Sequence, residues 1–186
     1  MATLYVVRHG ETDWNKARVF QGTTDIPLND TGRTQADDLA KQFKDKKFDA
    51  IYCSPLVRAR ETCEIILNNN EHDGKINFDK RIRERCFGDY EGTPVSEIDL
   101  PFGSWWSIKN EMHMKNGESI AEMFKRVQSF LDDINKKHSG KNERILVVAH
   151  GGVARSIYFS FNPLPEDGDL FNAHHVDNCS VGKYQV

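Results

Sequence analysis

One apolar run constrains the fold more than any other part of the sequence. Residues 145–148 read Ile-Leu-Val-Val, follow the charged Arg144 and lead into His150-Gly151-Gly152. A short β-branched run that is closed by glycines is typical of a strand buried on both faces. Because such a strand needs helices to cover both faces, the run favours an α/β domain.

The rest of the chain alternates between strand and helix patterns. Further strands are predicted at residues 3–7, 49–53 and 76–82 and after residue 177, and helices over residues 31–46, 56–67, 119–137 and 153–161. Ser54-Pro55 predicts a helix N-cap followed by proline, and Ser119 with Glu122 matches a capping box. We expect a single three-layer α/β domain whose mostly parallel central sheet is flanked by helices, with a small cap over residues 93–116.

Composition and charge limit the possible partners and location. The net charge of −3 lacks the basic excess of a general nucleic-acid binder, and no apolar run approaches the ~20 residues of a membrane helix. The first residues do not resemble a signal peptide, and the four cysteines show no zinc-like spacing. We therefore expect a cytoplasmic protein with free thiols and no nucleic-acid or membrane partner.

Polar side chains follow the predicted strands at the points where these end. Arg8 and His9 end the first strand, Arg58 follows the second, Glu84 follows the third, and His150 ends the most apolar strand. Because ligands of open α/β sheets bind outside the carboxyl ends of the strands, we expect these side chains to lie close together. Arginine forks match phosphate oxygens, and a neutral histidine can attack phosphorus while a carboxylic acid protonates the leaving group. The pattern therefore indicates phosphoryl transfer.

These side chains lie in five short segments that follow one another in order. The segments are Arg8-His9-Gly10-Glu11-Thr12, Ser54-Pro55-Leu56-Val57-Arg58-Ala59, Arg83-Glu84-Arg85, Asn116-Gly117-Glu118-Ser119 and Val148-Ala149-His150-Gly151-Gly152. In this order they resemble the motifs of the histidine phosphatase superfamily, also called the phosphoglycerate mutase-like family. A departure is Tyr90, in the stretch after the third segment, where many relatives carry tryptophan.

The resemblance implies a role for each of the central residues. His9 would be the nucleophile that carries the phosphoryl group, with its other ring nitrogen held by a backbone carbonyl. Arg8, Arg58 and His150 would grip the phosphoryl group. Glu84 would act first as general acid and then as general base.

The resemblance also implies roles for residues around this centre. Asn15 and the backbone near Gly151 would add hydrogen bonds to the phosphoryl group, and Gln21 and Gly22 would lie near the leaving portion of the substrate. No metal or other cofactor is expected, because the arginines and histidines supply the positive charge.

The function expected from the resemblance is hydrolysis of a small phosphorylated metabolite. Candidate substrates are sugar phosphates, phosphoserine-like compounds, α-ribazole phosphate and fructose bisphosphates. The alternatives are a phosphoglycerate mutase-type phosphotransferase and a phospho-ligand-binding relative without catalysis. The short region 93–116 and the end of the chain soon after its last strand favour the phosphatase over the mutase. Monomer and homodimer both stay open.

Other polar and aromatic residues are expected outside the catalytic centre. His174 and His175 are predicted loop residues, one of them near the pocket, while Trp105 and Trp106 line the leaving-group site or pack the cap. Three histidines are expected to be exposed: His72, His113 and His138. Three arginines are expected at the surface or behind the site: Arg81, Arg83 and Arg85.

Overall fold

A five-stranded sheet organises the molecule in the computed structural model, which describes residues 1–68, 74–98, 106–109 and 114–186. The strands are β1 (Thr3–Arg8), β2 (Ala50–Cys53), β3 (Ile76–Phe78), β4 (Arg144–Ala149) and β5 (Val181–Gln185). Their spatial order is β3-β2-β4-β1-β5. β5 runs antiparallel to β1, and the other three pairs are parallel. The predicted, mostly parallel sheet is thereby confirmed.

Helices cover both faces of this sheet. They are α1 (Asp13–Lys16), α2 (Asp30–Gln42), α3 (Val57–Asn68), α4 (Ile120–His138), α5 (Gly151–Phe161) and α6 (Leu170–Ala173). Side chains of α2 and α3 pack with one face, and those of α4 and α5 with the other. The result is the expected three-layer α/β domain. Among the described residues, no helix is long and apolar enough to cross a membrane.

Alternation along the central strands builds the two cores. In β1, Val6 faces the core of α4 and α5, while Tyr5 and Val7 face the core of α2 and α3. In β4, Val147 faces the core of α4 and α5, while Val148 faces the core of α2 and α3. Each fully buried aliphatic side chain contributes about 1.5–3 kcal/mol of hydrophobic free energy. This burial on both sides explains why the sequence pattern identified β4 so clearly.

Local capping signals in the sequence predict the start of α4 but not the start of α3. The Ser119 hydroxyl accepts from the Glu122 amide, and the Glu122 carboxylate accepts from the Ser119 amide, which confirms the predicted capping box. The predicted cap at Ser54-Pro55 is wrong in its position, because α3 begins at Val57. The Val57 amide donates instead to Oδ1 of Asp25, 2.6 Å away on a distant loop. The Ser54 hydroxyl still accepts from the Leu56 amide at 3.4 Å, and as a hydroxyl it can make a further contact.

Two other predicted elements are shorter than expected. The extended segment 76–82 ends at Phe78, because the Asp79 carboxylate accepts from the Arg81 amide and caps a 3-10 turn. The helix predicted over residues 31–46 ends at Gln42, since the chain turns there and Phe43 packs against the ring of Tyr5. Much of the predicted cap over residues 93–116 lies outside the described residues.

Strand register brings the functional segments together. Arg8 at the end of β1 pairs with Ala149 at the end of β4, and Cys53 at the end of β2 pairs with Val148. The residues that follow these three strands therefore emerge at one edge of the sheet. This is the carboxyl edge, at which ligands of open α/β sheets bind.

Candidate active site

A cavity of about 230 Å³ lies at the carboxyl edge of the sheet. Predicted site residues make up much of its lining: Arg8, His9, Gln21, Gly22, Arg58, Glu84 and Gly151. His150 lies beside it, with its ring centroid 5.1 Å from that of His9. The structure therefore gathers residues from four distant parts of the sequence around one cavity.

The His9 imidazole is held so that one ring nitrogen stays available. Its Nδ1 lies 2.7 Å from the carbonyl oxygen of Gly10, an acceptor that assigns the ring proton to Nδ1. Nε2 therefore carries the lone pair and makes no hydrogen bond with the described residues. Burial, followed by the charges of Arg58 and Arg8, lowers the pKa of His9 well below its ordinary value. The imidazole is neutral at neutral pH and can act as a nucleophile.

Close packing of backbones fixes the turn that carries His9. The Gly10 amide donates to the hydroxyl of Thr62 on α3 at 3.0 Å. A Cβ at Gly10 would lie 2.4 Å from the carbonyl oxygen of Gly32 on α2. Because such a contact is not tolerated, only glycine lets α2 approach this turn so closely.

Arg58 is a buried guanidinium anchored by its two terminal nitrogens. Nη1 donates to the carbonyl oxygen of Thr24, and Nη2 donates to that of Gly22. Burial lowers the pKa of Arg58 to about 10, which still leaves it charged at neutral pH. Its Nε is buried and has no hydrogen-bond partner.

Arg8 and His150 resemble Arg58, since each has one side-chain nitrogen in a hydrogen bond and another without a partner among the described residues. Arg8 donates from Nη1 to the carbonyl oxygen of Val176, while its buried Nε has no partner. His150 Nε2 lies 2.7 Å from the Ser54 hydroxyl oxygen, and its buried Nδ1 has no partner. Burial, followed by the Arg58 charge, lowers the pKa of His150 well below its ordinary value.

The unpartnered atoms indicate which kind of ligand this cavity can bind. Leaving a buried polar atom unpaired costs about 1–3 kcal/mol, so such atoms are rare in folded proteins. Here they belong to Arg8, Arg58 and His150, which meet beside the neutral imidazole of His9, and to Trp106, which lines the cavity. Two guanidinium groups beside a neutral imidazole form a site suited to a phosphate dianion.

The carboxylate of Glu84 lies in the same cavity. Its Oε1 accepts from the Arg85 amide at 2.9 Å, and its Oε2 accepts from the Gly152 amide at 3.2 Å. A Cβ at Gly152 would lie 2.4 Å from Oε1. Glycine at this position therefore lets the carboxylate rest on the first turn of α5, where it can reach a ligand in the cavity.

A partly buried arginine that the sequence analysis did not single out supports the Glu84 segment. Arg126 on α4 donates from Nη1 to the carbonyl oxygens of Arg81 and Arg83, and from Nη2 to that of Glu84. It also forms an ion pair with Glu118, in which Nε and Oε1 are 2.6 Å apart. The amphipathic pattern of α4 identified its apolar face, but it contains no signal for these backbone partners.

The loop after α1 is held by a second unanticipated residue, Glu91. Its carboxylate accepts from the Thr23, Thr24 and Phe87 amides. Although burial opposes the change, hydrogen bonds from Thr24, Thr23 and Phe87 lower the pKa of Glu91. A Cβ at Gly22 would lie 2.0 Å from Glu91 Oε1, and Gly22 has a φ of 55°. Glycine is therefore required where this loop offers its carbonyl to Arg58.

Gln21 and Asn15 differ in their relation to the cavity. Gln21 lines it, and its Oε1 accepts from the Thr12 hydroxyl at 2.9 Å. Asn15 is not among the lining residues, and its Oδ1 accepts from the Thr12 amide in the capping box of α1. The structure thus shows Asn15 stabilising the loop that follows His9.

The remaining candidate residues divide between the cavity and the core. Trp106 and His175 both line the cavity, and Trp106 also stacks on Phe171 with centroids 5.0 Å apart. His174 stacks instead on Tyr158, 3.7 Å away. Three predicted residues lie outside the described part of the chain: His72, Trp105 and His113.

One exposure prediction is corrected by the structure. His138, expected at the surface, is buried between the Tyr52 hydroxyl and the Glu143 carboxylate. Arg85, expected at the surface or behind the site, is buried, and its Nε donates to the Glu118 carbonyl oxygen. Arg81 is partly exposed and forms ion pairs with two aspartates, Asp79 and Asp133. Among the described residues, no group of three His, Cys, Asp or Glu side chains could hold a metal ion.

Known proteins are similar to this chain in sequence. The chain is 39% identical over 170 residues to phosphoglycerate mutase-like protein 4 of Arabidopsis thaliana, covering 87% of this chain and 72% of the relative. It is 35% identical over 185 residues to putative phosphoserine phosphatase 2 of Hydrogenobacter thermophilus, covering 97% and 88%.

A solved structure is similar over nearly the whole chain. It is a mutant phosphoserine phosphatase of Entamoeba histolytica in complex with phosphoserine, at 28% identity and a TM-score of 0.84, covering 98% of this chain and 90% of that one. A further structure of that phosphatase contains 3-phosphoglyceric acid. The model of the histidine phosphatase superfamily (branch 1) matches residues 4–186. The chain therefore belongs to the histidine phosphatase superfamily.

Proposed function

We propose that this protein is a metal-independent phosphatase that hydrolyses a small phosphorylated metabolite through a phosphohistidine on His9. One observation carries the proposal. The free Nε2 of a neutral imidazole lies among buried arginine and histidine atoms that have no hydrogen-bond partner among the described residues. A phosphoryl group satisfies these atoms, and it places phosphorus next to a nucleophile.

In the first step, His9 Nε2 attacks phosphorus as the ester P–O bond breaks. The electron pair of that bond leaves with the alcohol oxygen, which takes a proton from the Glu84 carboxyl. Arg8 and Arg58 stabilise the charge on the transferring phosphoryl oxygens, and His150 donates to them when its unpartnered Nδ1 carries the proton. The Gly10 carbonyl stabilises the positive charge that develops on the imidazole.

In the second step, water replaces the departed alcohol. The Glu84 carboxylate takes a proton from this water as its oxygen attacks phosphorus, and the N–P bond breaks. The electron pair returns to His9 Nε2, and inorganic phosphate leaves. Both partial reactions balance without a metal ion.

Small phosphomonoesters fit this proposal best. The cavity is only about 230 Å³, and relatives that are named for phosphoserine support a substrate of that size. We further propose that residues 93–116 form a small cap over the leaving-group side, since Trp106 lines the cavity there. The four free thiols support a cytoplasmic location, including the buried Cys53 thiol, which donates to the Ser54 carbonyl oxygen at 3.2 Å.

The decisive experiment combines hydrolysis with trapping of the intermediate. With an aryl phosphate and excess chelator, we expect the wild-type protein to turn over and to yield an acid-labile, alkali-stable phosphoenzyme on acid-free quenching. His9→Ala should lower kcat by at least about 10⁴-fold and should yield no phosphoenzyme, because the nucleophile is lost. His174→Ala is the matched control, since it removes an imidazole that stacks on Tyr158 instead of lining the cavity.

Each alternative has its own signature in this experiment. Activity that is lost with the chelator, or retained in His9→Ala, contradicts the mechanism. A phosphoglycerate whose isomerisation outruns its hydrolysis identifies a mutase. A protein that binds phosphate esters but neither turns over nor becomes phosphorylated is a binding relative.

A further inference from the structure

Arg155 is a buried cation that the phosphoryl chemistry leaves unused. It lies on α5 one turn after Gly151, lines the cavity and is only 4% exposed. A Cβ at Gly151 would lie 3.1 Å from Arg155 Nη1 and 3.5 Å from Arg8 Nε. The Arg155 guanidinium is therefore close to Arg8, although Arg155 lies on α5 and Arg8 lies at the end of β1.

The guanidinium is oriented but only partly satisfied. Its Nε donates to the His174 carbonyl oxygen at 2.9 Å, and its plane lies over the Phe171 ring, 4.4 Å from the centroid. Nη1 and Nη2 make no hydrogen bond with the described residues, and Arg155 forms no ion pair with a described carboxylate. Burial lowers the pKa of Arg155 to about 10, so it stays charged at neutral pH. Two fixed donors thus remain for a ligand.

The charge balance of the cavity indicates what that ligand carries. A phosphomonoester dianion matches the two charges of Arg8 and Arg58, and Glu84 must be protonated when it acts as the acid. The charge of Asp169 also acts on Arg155, but its carboxylate accepts from the Phe171 and Asn172 amides and forms no described ion pair with Arg155. Arg155 is then a buried cation without an ion-pair partner, and an unpaired buried charge is costly. One further negative charge on the substrate removes that cost.

The walls beside Arg155 limit the shape of the leaving group. Three phenylalanine rings line this side with Trp106: Phe20, Phe87 and Phe171. The Trp106 Nε1 is buried and has no hydrogen-bond partner, which provides one more donor among apolar walls. A short carbon chain that ends in a planar anion suits such a surface, since guanidinium pairs with carboxylate through two parallel hydrogen bonds.

We propose that Arg155 forms a carboxylate subsite, and that the substrates are phosphate monoesters of short hydroxy acids. The subsite rests on the proposed phosphatase function, because it assumes that the phosphoryl group occupies the space beside His9, Arg8 and Arg58. Arg155 then binds the far end of the same molecule and selects the leaving group.

The test uses two substrates that differ only in the proposed group. 3-Phosphoglycerate and glycerol 3-phosphate share a three-carbon skeleton, but the second has a hydroxymethyl group in place of the carboxylate. We expect the wild-type kcat/KM to be about 10–100-fold higher for 3-phosphoglycerate, as one charged bidentate pair provides. In Arg155→Met this ratio should fall to about 1–3, and Arg155→Lys should keep part of it.

Controls separate failure of the subsite from failure of the function. Arg60→Met removes a half-exposed arginine on α3 and should keep the wild-type ratio. If neither ester nor an aryl phosphate is hydrolysed by the wild-type protein, the phosphatase function itself fails. If both esters are hydrolysed equally by the wild-type protein, the function stands and the subsite is refuted, whether or not the Arg155 variants fold.

Two further outcomes refute the carboxylate assignment. One is a preference for 3-phosphoglycerate that survives in a folded Arg155→Met protein. The other is a higher kcat/KM for fructose 1,6-bisphosphate than for either three-carbon ester, which would assign Arg155 to a second phosphate.

Discussion

Buried histidines at two ends of the molecule differ in one respect. His138, at the end of α4, has both ring nitrogens bonded, to the Tyr52 hydroxyl at 3.0 Å and to the Glu143 carboxylate at 2.6 Å. His9 and His150 are equally buried at the carboxyl edge of the sheet, but each has only one nitrogen bonded. Burial alone therefore does not distinguish these histidines from one another, whereas an unused ring nitrogen does.

Arginine side chains show the same contrast. Arg126 distributes its donors among three carbonyl oxygens and the Glu118 carboxylate. Arg8 and Arg58 each leave a buried Nε without a partner. On α4, Arg126 bonds through its donors to the protein itself and supports the segment that carries Glu84. At the edge of the sheet, Arg8 and Arg58 keep donors that a ligand can use. Preorganised donors of this kind stabilise charge with little reorganisation during the reaction.

The largest effect should come from exchanging one histidine at each end. His150→Ala should lower kcat by about 10²–10³-fold, because a donor to the transferring phosphoryl group is lost. His138→Ala should leave kcat within about threefold and lower the free energy of unfolding by about 1–3 kcal/mol. Steady-state kinetics and urea unfolding of both variants measure this. Equal losses of kcat would remove the distinction between the two ends.

A smaller effect on kcat is expected from removing Arg126, which supports the segment that carries Glu84. Arg126→Met should lower kcat about 10–100-fold for an alkyl phosphate, since the Glu84 backbone loses its support. The loss should be much smaller for an aryl phosphate, whose leaving group needs little protonation. This dependence on the leaving group marks a positioning role, because a merely unstable protein would lose both activities alike.

Arg81→Met is the matched control for this variant. Arg81 also contacts the neighbouring segment, but it pairs with Asp79 and Asp133 near the surface. We expect its removal to cost at most about 1 kcal/mol of stability and to affect both substrates equally. A leaving-group dependence in Arg81→Met would contradict a specific role for Arg126.

The smallest effect concerns stability and pH. The folded-state pKa values of His9 and His150 are lowered, so below about pH 6.5 the unfolded chain binds protons that the folded chain does not. Stability should therefore fall as the pH decreases from 7.5 to 5, by up to about 1.4 kcal/mol per pH unit for each histidine. In His150→Ala the slope should be shallower by one such contribution. An unchanged slope by urea unfolding would contradict a neutral, buried His150.

Much of the fold followed from local sequence patterns. The core of β4 was predicted correctly, because a short apolar run that is rich in β-branched residues and closed by glycines is typical of a strand buried on both faces. The start of α4 was predicted because a capping box involves only residues that are three positions apart. By contrast, α3 begins later than its local signal indicates, since Asp25 from another loop caps it.

The candidate site was predicted less evenly. Residues that follow strands were found, because the topology of an open parallel sheet brings strand ends together. Arg126 and Arg155 were not singled out, because a single arginine on a helix looks the same in sequence whether it is solvated or buried. His138 was expected to be exposed for the same reason.

The sequence by itself determined the order of the elements, the edge at which they meet and the superfamily motifs, because periodicity and spacing are encoded along the chain. Only the tertiary structure decided which buried nitrogens are satisfied and which stay free. That depends on partners such as the Ser54 hydroxyl and the Val176 carbonyl, which lie about a hundred residues or more away from the side chains that they contact. A hydrogen bond requires two atoms to be close in space, whatever their separation along the chain. Only the folded structure therefore decides which donors of Arg8, Arg58 and His150 stay without a partner among the described residues.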